Sequence, residues 1–235
     1  MLRSLTEIEG AALIATDGEI GHCRDFLFDD DDWTLRYMVA ETGPWLLSRK
    51  VLVSLTFIEP PAAASQGIPV RLARQQIEDC PPLDSDAPVS RRYEQTYHDF
   101  FATPYYWMGT GLWGNFGYPG LMVPTPDLDS LPDEDPERTH LRSVREVTGY
   151  GIRARDGLVG HVADFIVDDR SWAIRHLVLE RSRLPFSKKT LIAIDAFDAV
   201  SWVEREIRLD ATAEEIEGAP PFDPDALPAD EQEAT

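Results

Sequence analysis

The feature that most limits what this chain can fold into is a repeat within it. At an offset of 139 residues, positions 4–56 lie on positions 143–195 without a gap, and 19 of those 53 pairs are identical. Asp17-Gly18-Glu19-Ile20-Gly21-His22 returns as Asp156-Gly157-Leu158-Val159-Gly160-His161. Asp25-Phe26 returns as Asp164-Phe165, Asp29-Asp30 as Asp168-Asp169, and Trp33, Arg36, Val39 and Glu41 as Trp172, Arg175, Val178 and Glu180. The closing Pro81-Pro82-Leu83-Asp84 returns as Pro220-Pro221-Phe222-Asp223. The chain thus carries two copies of one module of roughly 80 residues, and its fold must be one that such a module can adopt twice. We divide it into a first module over 1–86, an aromatic connector and acidic linker over 87–140, a second module over 141–224, and a flexible acidic tail over 225–235.

Each copy reads as β. Asp17-Gly18 between apolar runs is a two-residue hairpin signal. Residues 20–29 fit a long strand, closed by a turn over 30–33. Leu35, Tyr37 and Val39 alternate with Thr34, Arg36 and Met38, the period of a half-buried strand. Gly43-Pro44 turns the chain into a strand over 45–53, short strands follow near 56–59 and 69–72, and a turn or two of helix precedes Pro81. Five or six short strands in so few residues bury little as an open sheet, whereas closure removes the edges and makes one small core. The expected fold class is therefore mainly β: two small barrels joined by a connector that is aromatic-rich and partly helical.

That connector is unlike a solvated linker. Ten of the 23 aromatic residues fall within it: Tyr93, Tyr97, Phe100, Phe101, Tyr105, Tyr106, Trp107, Trp113, Phe116 and Tyr118. The first four are spaced as one stripe of a helix. Rings of this size bury about 150–250 Å² each when packed, so the connector must dock, either filling a seam of the protein or holding a partner.

The order of motifs in both copies resembles the PRC-barrel family. The first copy carries Gly10, Asp17-Gly18, Gly21, Asp25-Phe26, Asp29-Asp30, an apolar strand over 35–41 and an apolar-basic run over 45–53. The second carries Gly149, Asp156-Gly157, Gly160, Asp164-Phe165, Asp168-Asp169 and the runs 174–180 and 184–194. The resemblance covers about two thirds of the chain and leaves out the connector and tail. Members of the family include the cytoplasmic domain of the photosynthetic reaction-centre H subunit and the C-terminal domain of a ribosome maturation factor. The resemblance implies a module that binds other macromolecules and is not a catalytic site. The H subunit's membrane helix and the maturation factor's separate N-terminal barrel are not read in this sequence, so neither specific task carries over.

Charge narrows the partners. The chain has 42 acidic and 22 basic side chains, a formal net charge of -20. Residues 127–137 hold six acids and residues 210–235 hold nine, with no base in either. Such a balance argues against general nucleic-acid binding, which depends on phosphate attraction. Arg181, Arg183, Lys188 and Lys189 around one hairpin are the candidate anion-binding spot. No run approaches the roughly 20 apolar residues of a membrane span, and the opening Met1-Leu2-Arg3-Ser4 leads into Glu7 and Glu9, unlike a secretion signal. We expect a cytoplasmic location.

Catalytic and metal readings fare poorly. His22 with Asp25, and His161 with Asp164, sit three apart on a strand and so on opposite faces. Asp29 to Asp32 is a four-acid run, but the second copy has Asp168-Asp169-Arg170-Ser171, and no calcium-hand spacing is present. Cys23 and Cys80 are replaced in the second copy by Val162 and Ala219, as expected of buried filler. No nucleophile elbow, phosphate loop or zinc motif is present. We expect no enzyme activity, no cofactor and no metal. Gly18, Gly21, Gly157 and Gly160 are expected in turns and close strand packing, Asp25 and Asp164 as structural hydrogen-bonding groups, and Trp33 and Trp172 as caps of the two barrels. The expected function is a protein-binding or scaffolding module, open to self-association as a homodimer. The alternatives are an RNA- or ribosome-associated assembly factor, and a membrane-peripheral protein attached through the connector rings.

Overall fold

The structure, a computed structural model, describes residues 1–59, 67–83, 89–109, 111–114, 119, 139–181, 188–219, 221–224 and 227. The first copy forms β1 (Leu2–Ser4), α1 (Leu5–Ile8), β2 (Ala12–Ala15), β3 (Gly18–Asp29), β4 (Thr34–Thr42), β5 (Lys50–Ser54), β6 (Ile68–Pro69) and α2 (Arg74–Asp79). The connector contributes α3 (Arg91–Phe101). The second copy forms β7 (Leu141–Ser143), α4 (Val144–Val147), β8 (Gly151–Ala154), β9 (Gly157–Asp168), β10 (Ile174–Glu180), β11 (Lys189–Ala193), β12 (Phe197–Ser201), β13 (Glu206–Leu209) and α5 (Ala213–Glu217).

The protein is mainly β, with two separate sheets. One has the order β5-β4-β3-β2-β6, with β7 added on β3; the other has β11-β10-β9-β8-β13-β12, with β1 added on β9. Closed barrels were the expectation; among the described strands the orders end at β5 and β6 in one sheet and at β11 and β12 in the other, and neither sheet is closed into a barrel. Just past β5 and β6, Ile58 bridges Val70, with Arg71 N donating to Phe57 O at 2.8 Å and Glu59 N to Pro69 O at 3.1 Å.

Corresponding irregularities lie 139 residues apart. β3 slips against β4 at Arg24 and β10 slips against β9 at Ala163, while Ile20 and Val159 are skipped in the neighbouring ladders. Arg36 and Arg175 are likewise left without a register partner, because Tyr37 and Leu35 face Leu27 and Phe28, as His176 and Ile174 face Ile166 and Val167. Such bulges bend a strand and re-aim a side chain, and Arg36 is re-aimed into the site described below.

The compact units do not follow the repeat. One comprises Met1–Ile8, Ser143–Asp169 and Ile174–Thr235; the other comprises Glu9–Arg142 and Arg170–Ala173. The first eight residues thus belong with the second copy, because β1 pairs with β9. The turn at Arg170–Ala173 belongs with the first copy, where Leu35 N donates to Trp172 O at 2.9 Å and Thr34 bridges to Ala173. Trp172 is buried and Trp33 half-buried, stacked on Phe28 at 5.1 Å; both adopt positive φ.

Three local expectations shift. The hairpin loop is Thr16-Asp17, with Gly18 already paired to Ala15. From within that loop the Asp17 carboxylate accepts from Arg74 N at 2.9 Å at the start of α2, as Asp156 does for Ala213 N at the start of α5. Residues 45–49 are not strand. Pro44–Leu46 form a 3-10 turn, Leu47 and Ser48 adopt positive φ, and the ladder starts at Lys50. The alternation in β4 does not separate a wet face from a dry one, since every residue of Thr34–Ala40 is buried, the connector covering what would be the solvent face.

Gly21 is required by close approach: a Cβ there would lie 2.0 Å from Glu41 O, and at Gly160 one would lie 2.5 Å from Glu180 O. At Gly157 an added Cβ meets nothing within 4 Å. Gly21→Ala should therefore lower stability by about 2–4 kcal/mol, combining backbone strain with overpacking, and Gly157→Ala by about 1 kcal/mol from its positive φ alone. Thermal melts of the two variants check the order, and equal losses would contradict it.

Candidate functional site

Within the unit of Glu9–Arg142, α3 supplies the centre of a buried polar network. Ser90 caps the helix by accepting from Tyr93 N at 3.3 Å, and Ala102, in the left-handed region, ends it. Arg91, Glu94 and His98 are spaced three and four apart, so they share the face that also carries Tyr97. All four are buried.

The network is closed on itself. Tyr106 OH donates to Glu94 Oε1 at 2.6 Å and Tyr37 OH donates to the same oxygen at 3.1 Å. Arg91 Nη1 donates to Glu94 Oε2 at 2.9 Å and to Tyr106 OH at 3.2 Å. The single phenolic proton of Tyr37 is used on Glu94, so its oxygen accepts from His98 Nε2 at 3.0 Å, which makes Nδ1 the acceptor for Thr103 Oγ1 at 2.9 Å. Tyr97 OH accepts from Ser54 N at 2.9 Å and donates to Leu52 O at 3.2 Å.

Cations stack on the rings around this core. The Arg36 guanidinium lies 3.9 Å from the Tyr106 ring centre and 5.0 Å from that of Trp113, and it pairs with Asp32 and Asp29 and donates to Leu112 O. Arg91 lies 4.2 Å over Trp107. Such contacts are strongest where water is excluded. Trp113 Nε1 donates to Ser171 O at 2.8 Å.

Burial sets the protonation of the network. It pushes Glu94 up to about 7, against the opposing pull of Arg91, Tyr106 and Tyr37. It holds His98 down to about 3 and raises the phenols of Tyr37, Tyr97 and Tyr106 far above their usual range. The groups that could serve as acid and base are thus present, but Glu94 and His98 are each only 1% exposed. Both are sealed from solvent, and Tyr37 OH lies between them. The chemistry open to this arrangement is anchoring.

The connector rings therefore divide. Tyr97, Tyr106 and Trp113 are buried anchors. Tyr93 is half-buried, its OH donating to Pro81 O at 2.9 Å. Tyr105 and Trp107 are half-buried and stacked at 4.8 Å, while Phe100 is 45% exposed and packs edge-on against Phe101. Phe116 and Tyr118 lie outside the described residues, as do Arg183 and the acidic run 127–137. At the basic hairpin, Arg181 pairs with Glu217, and Lys188 and Lys189 are exposed. Cys23 and Cys80 are buried, with burial pushing the Cys23 thiol up to about 12.

The acids have local tasks. Asp25 and Asp164 accept from the next residue's N–H at 2.8 and 2.7 Å. Asp29 and Asp32 accept from Asp31 N and Thr34 N in the turn after β3. Donor atoms of Asp29, Asp30, Asp31 and His140 lie within 4.8 Å of one another. Protein groups already serve these carboxylates: Arg142 Nε is 2.8 Å from Asp30 and His140 Nδ1 is 3.1 Å from Asp31. In the other unit, the positions 139 residues away show Arg3 Nε and the Met1 amine each 2.7 Å from Asp169.

Arg36, Tyr37, Arg91, Glu94 and His98 were not singled out as site residues from sequence. The signal was the charged residues sharing the spacing of the aromatic stripe. No protein-family model and no curated protein matches this chain.

Replacing Glu94 by Ala leaves the Arg91 guanidinium buried without its carboxylate and should cost about 3–5 kcal/mol. The pH response has opposing parts. Glu94 is raised from 4.5 to about 7, so its contribution is full below pH 4.5 and is lost as pH rises through about 7. His98 is lowered from 6.5 to about 3, so its contribution is full above pH 6.5 and is lost as pH falls toward about 3. Between pH 4.5 and 6.5 the two slopes offset each other. Glu94→Gln removes one of them, so its melting temperature should climb with pH across that window more steeply than that of the wild type. Parallel curves would show that Glu94 is not the buried titrating group.

Proposed function

We propose that this chain is a non-catalytic, cytoplasmic protein-binding or scaffolding module built from two PRC-barrel-like copies, and that it presents an aromatic platform to an apolar protein surface. The family reading rests on the order of motifs in both copies. Closure of each sheet into a small barrel is part of this reading, supported in the first copy by the bridge of Ile58 to Val70 between the runs that follow β5 and β6.

One observation carries the binding role. Phe100 and Phe101 at the end of α3, and Tyr105 and Trp107 in the loop after it, remain partly open to water, while the buried face of α3 is pinned by the Glu94 network. Phe57 extends the patch by packing on Phe101 at 5.1 Å. Aromatic residues are enriched in interface cores, and rings already held in place lose little further freedom on binding. The sealing of Glu94, His98, Tyr37 and Tyr106 away from solvent supports a non-catalytic reading. The pairing of Arg181 with Glu217 weakens the case for RNA at the basic hairpin.

Phe100→Ser combined with Tyr105→Ser removes the rim of the platform and leaves the anchors intact. The melting temperature should fall by no more than about 4 °C, the effect of roughly 1 kcal/mol in a protein of this size. Quantitative mass spectrometry of affinity-purified wild type and variant should show at least one protein retained by the first and depleted about ten-fold or more in the second, the effect expected of a lost hot spot. An identical retained set would overturn the proposal.

A further inference from the structure

The two copies present the same face of their sheets under different cover. In the first copy, Tyr37 of β4 is directly opposed to Ser54 of β5, so the two side chains share a face, and Leu52 lies on it by the period of the strand. The connector sits there: Tyr37 OH meets Glu94 and His98, while Tyr97 OH accepts from Ser54 N and donates to Leu52 O. Tyr37, Leu52, Ser54 and Leu55 are all buried. At the positions 139 residues on, His176, Leu191 and Ile194 are only half-buried and Ala193, opposed to His176, is exposed.

One arginine shows the same contrast. Arg36 and Arg175 hold equivalent places, each at a bulge and each with a buried Nε that makes no hydrogen bond. The rest of the Arg36 guanidinium is answered by Asp32, the Leu112 carbonyl and the ring faces of Tyr106 and Trp113. Arg175 is half-buried, and among the described residues it has no hydrogen bond, no ion pair and no stacked ring. In the second copy Ser171 stands in the place of Asp32, and residues 223–235, which follow that copy, contain no aromatic side chain. A guanidinium drawn out of water without partners lowers stability, so any ligand that supplies them gains what the free protein lacks.

We infer that Arg175, with the face of β10 and β11 that carries His176, Leu191 and Ala193, is a binding site for an aromatic and acidic segment of a partner protein. The first copy shows what such a face takes. Its cover brings a ring to stack on the arginine, a carbonyl oxygen to accept from it, and a carboxyl group for the neighbouring Tyr37. At Arg175 the ligand must also bring the carboxylate that Asp32 supplies in the first copy. Lys188 and Lys189, exposed at the start of β11, favour an acidic ligand over a basic one. The site is on the other copy from Phe100 and Tyr105 and is independent of the platform proposed above.

A synthetic peptide of residues 89–114, which carries α3 and the rings that follow it, is the probe. It is dye-labelled and titrated with full-length protein up to about 100 µM, well below the roughly 1 mM at which a tethered segment sees its own slot, so the connector keeps its place on the first copy. Saturable binding is expected. Arg175→Met should weaken it about ten-fold or more, the loss of a hot-spot arginine, and so should Ala193→Glu, which puts a charge at an exposed position of the same face. Thermal melts of the unliganded variants separate this role from a structural one. Arg36→Met should lower the melting temperature by several degrees, because Asp32 and two rings are built around that guanidinium. Arg175→Met should leave it unchanged or raise it. No saturable binding, an affinity that both variants leave intact, or an Arg175→Met melt lowered as far as that of Arg36→Met would overturn the inference.

Discussion

A carboxyl group removed from water is tolerated only when its oxygens are answered, and Glu94 is answered on both. Two phenols meet one oxygen and a guanidinium meets the other. These partners come from three places: β4, α3 and the loop after α3. Holding them together requires the bulge that re-aims Arg36, the left-handed residue that ends α3, and the rings that exclude water around the pair. Hydrogen-bonded networks in a low-dielectric interior act as units, since a partly satisfied one is worse than none. The docking of the aromatic connector is therefore expected to be cooperative, and it fixes which rings remain on the surface.

Strand exchange is the second constraint. The repeat divides the sequence at one set of boundaries and the packing divides it at another, with Met1–Ile8 and Arg170–Ala173 each counted in the unit of the other copy. A module that borrows its opening strand has an incomplete edge when taken alone, and unpaired strand edges are liabilities that folds cover. Duplication within one polypeptide supplies the missing strand at high effective concentration.

Much of the fold was legible in the residues. The long strands, the acidic turns and the helical stripe of the connector follow from local periodicity and turn chemistry, and β3, β9 and α3 fall where those patterns place them. The hairpin loop is Thr16-Asp17, one residue earlier than the Asp-Gly pattern places it, and the two loop residues bond to Leu72 and Arg74 around the start of α2, a long-range tie that no local pattern encodes. The polar network was hidden for a related reason. Arg91, Glu94 and His98 share the spacing of the aromatic stripe, but Tyr37, which meets Glu94 and His98, comes from β4, and no local pattern joins the two.

The sequence by itself determined that this chain is two copies of a β module with a ring-rich segment that has to be buried, because repetition and periodicity are written in neighbouring residues. Only the tertiary structure decided which rings are buried, which charges lie beside them, and which copy receives each opening strand. Those outcomes depend on side chains far apart in the chain competing for the same partners, and on strand edges that accept any segment of the right register.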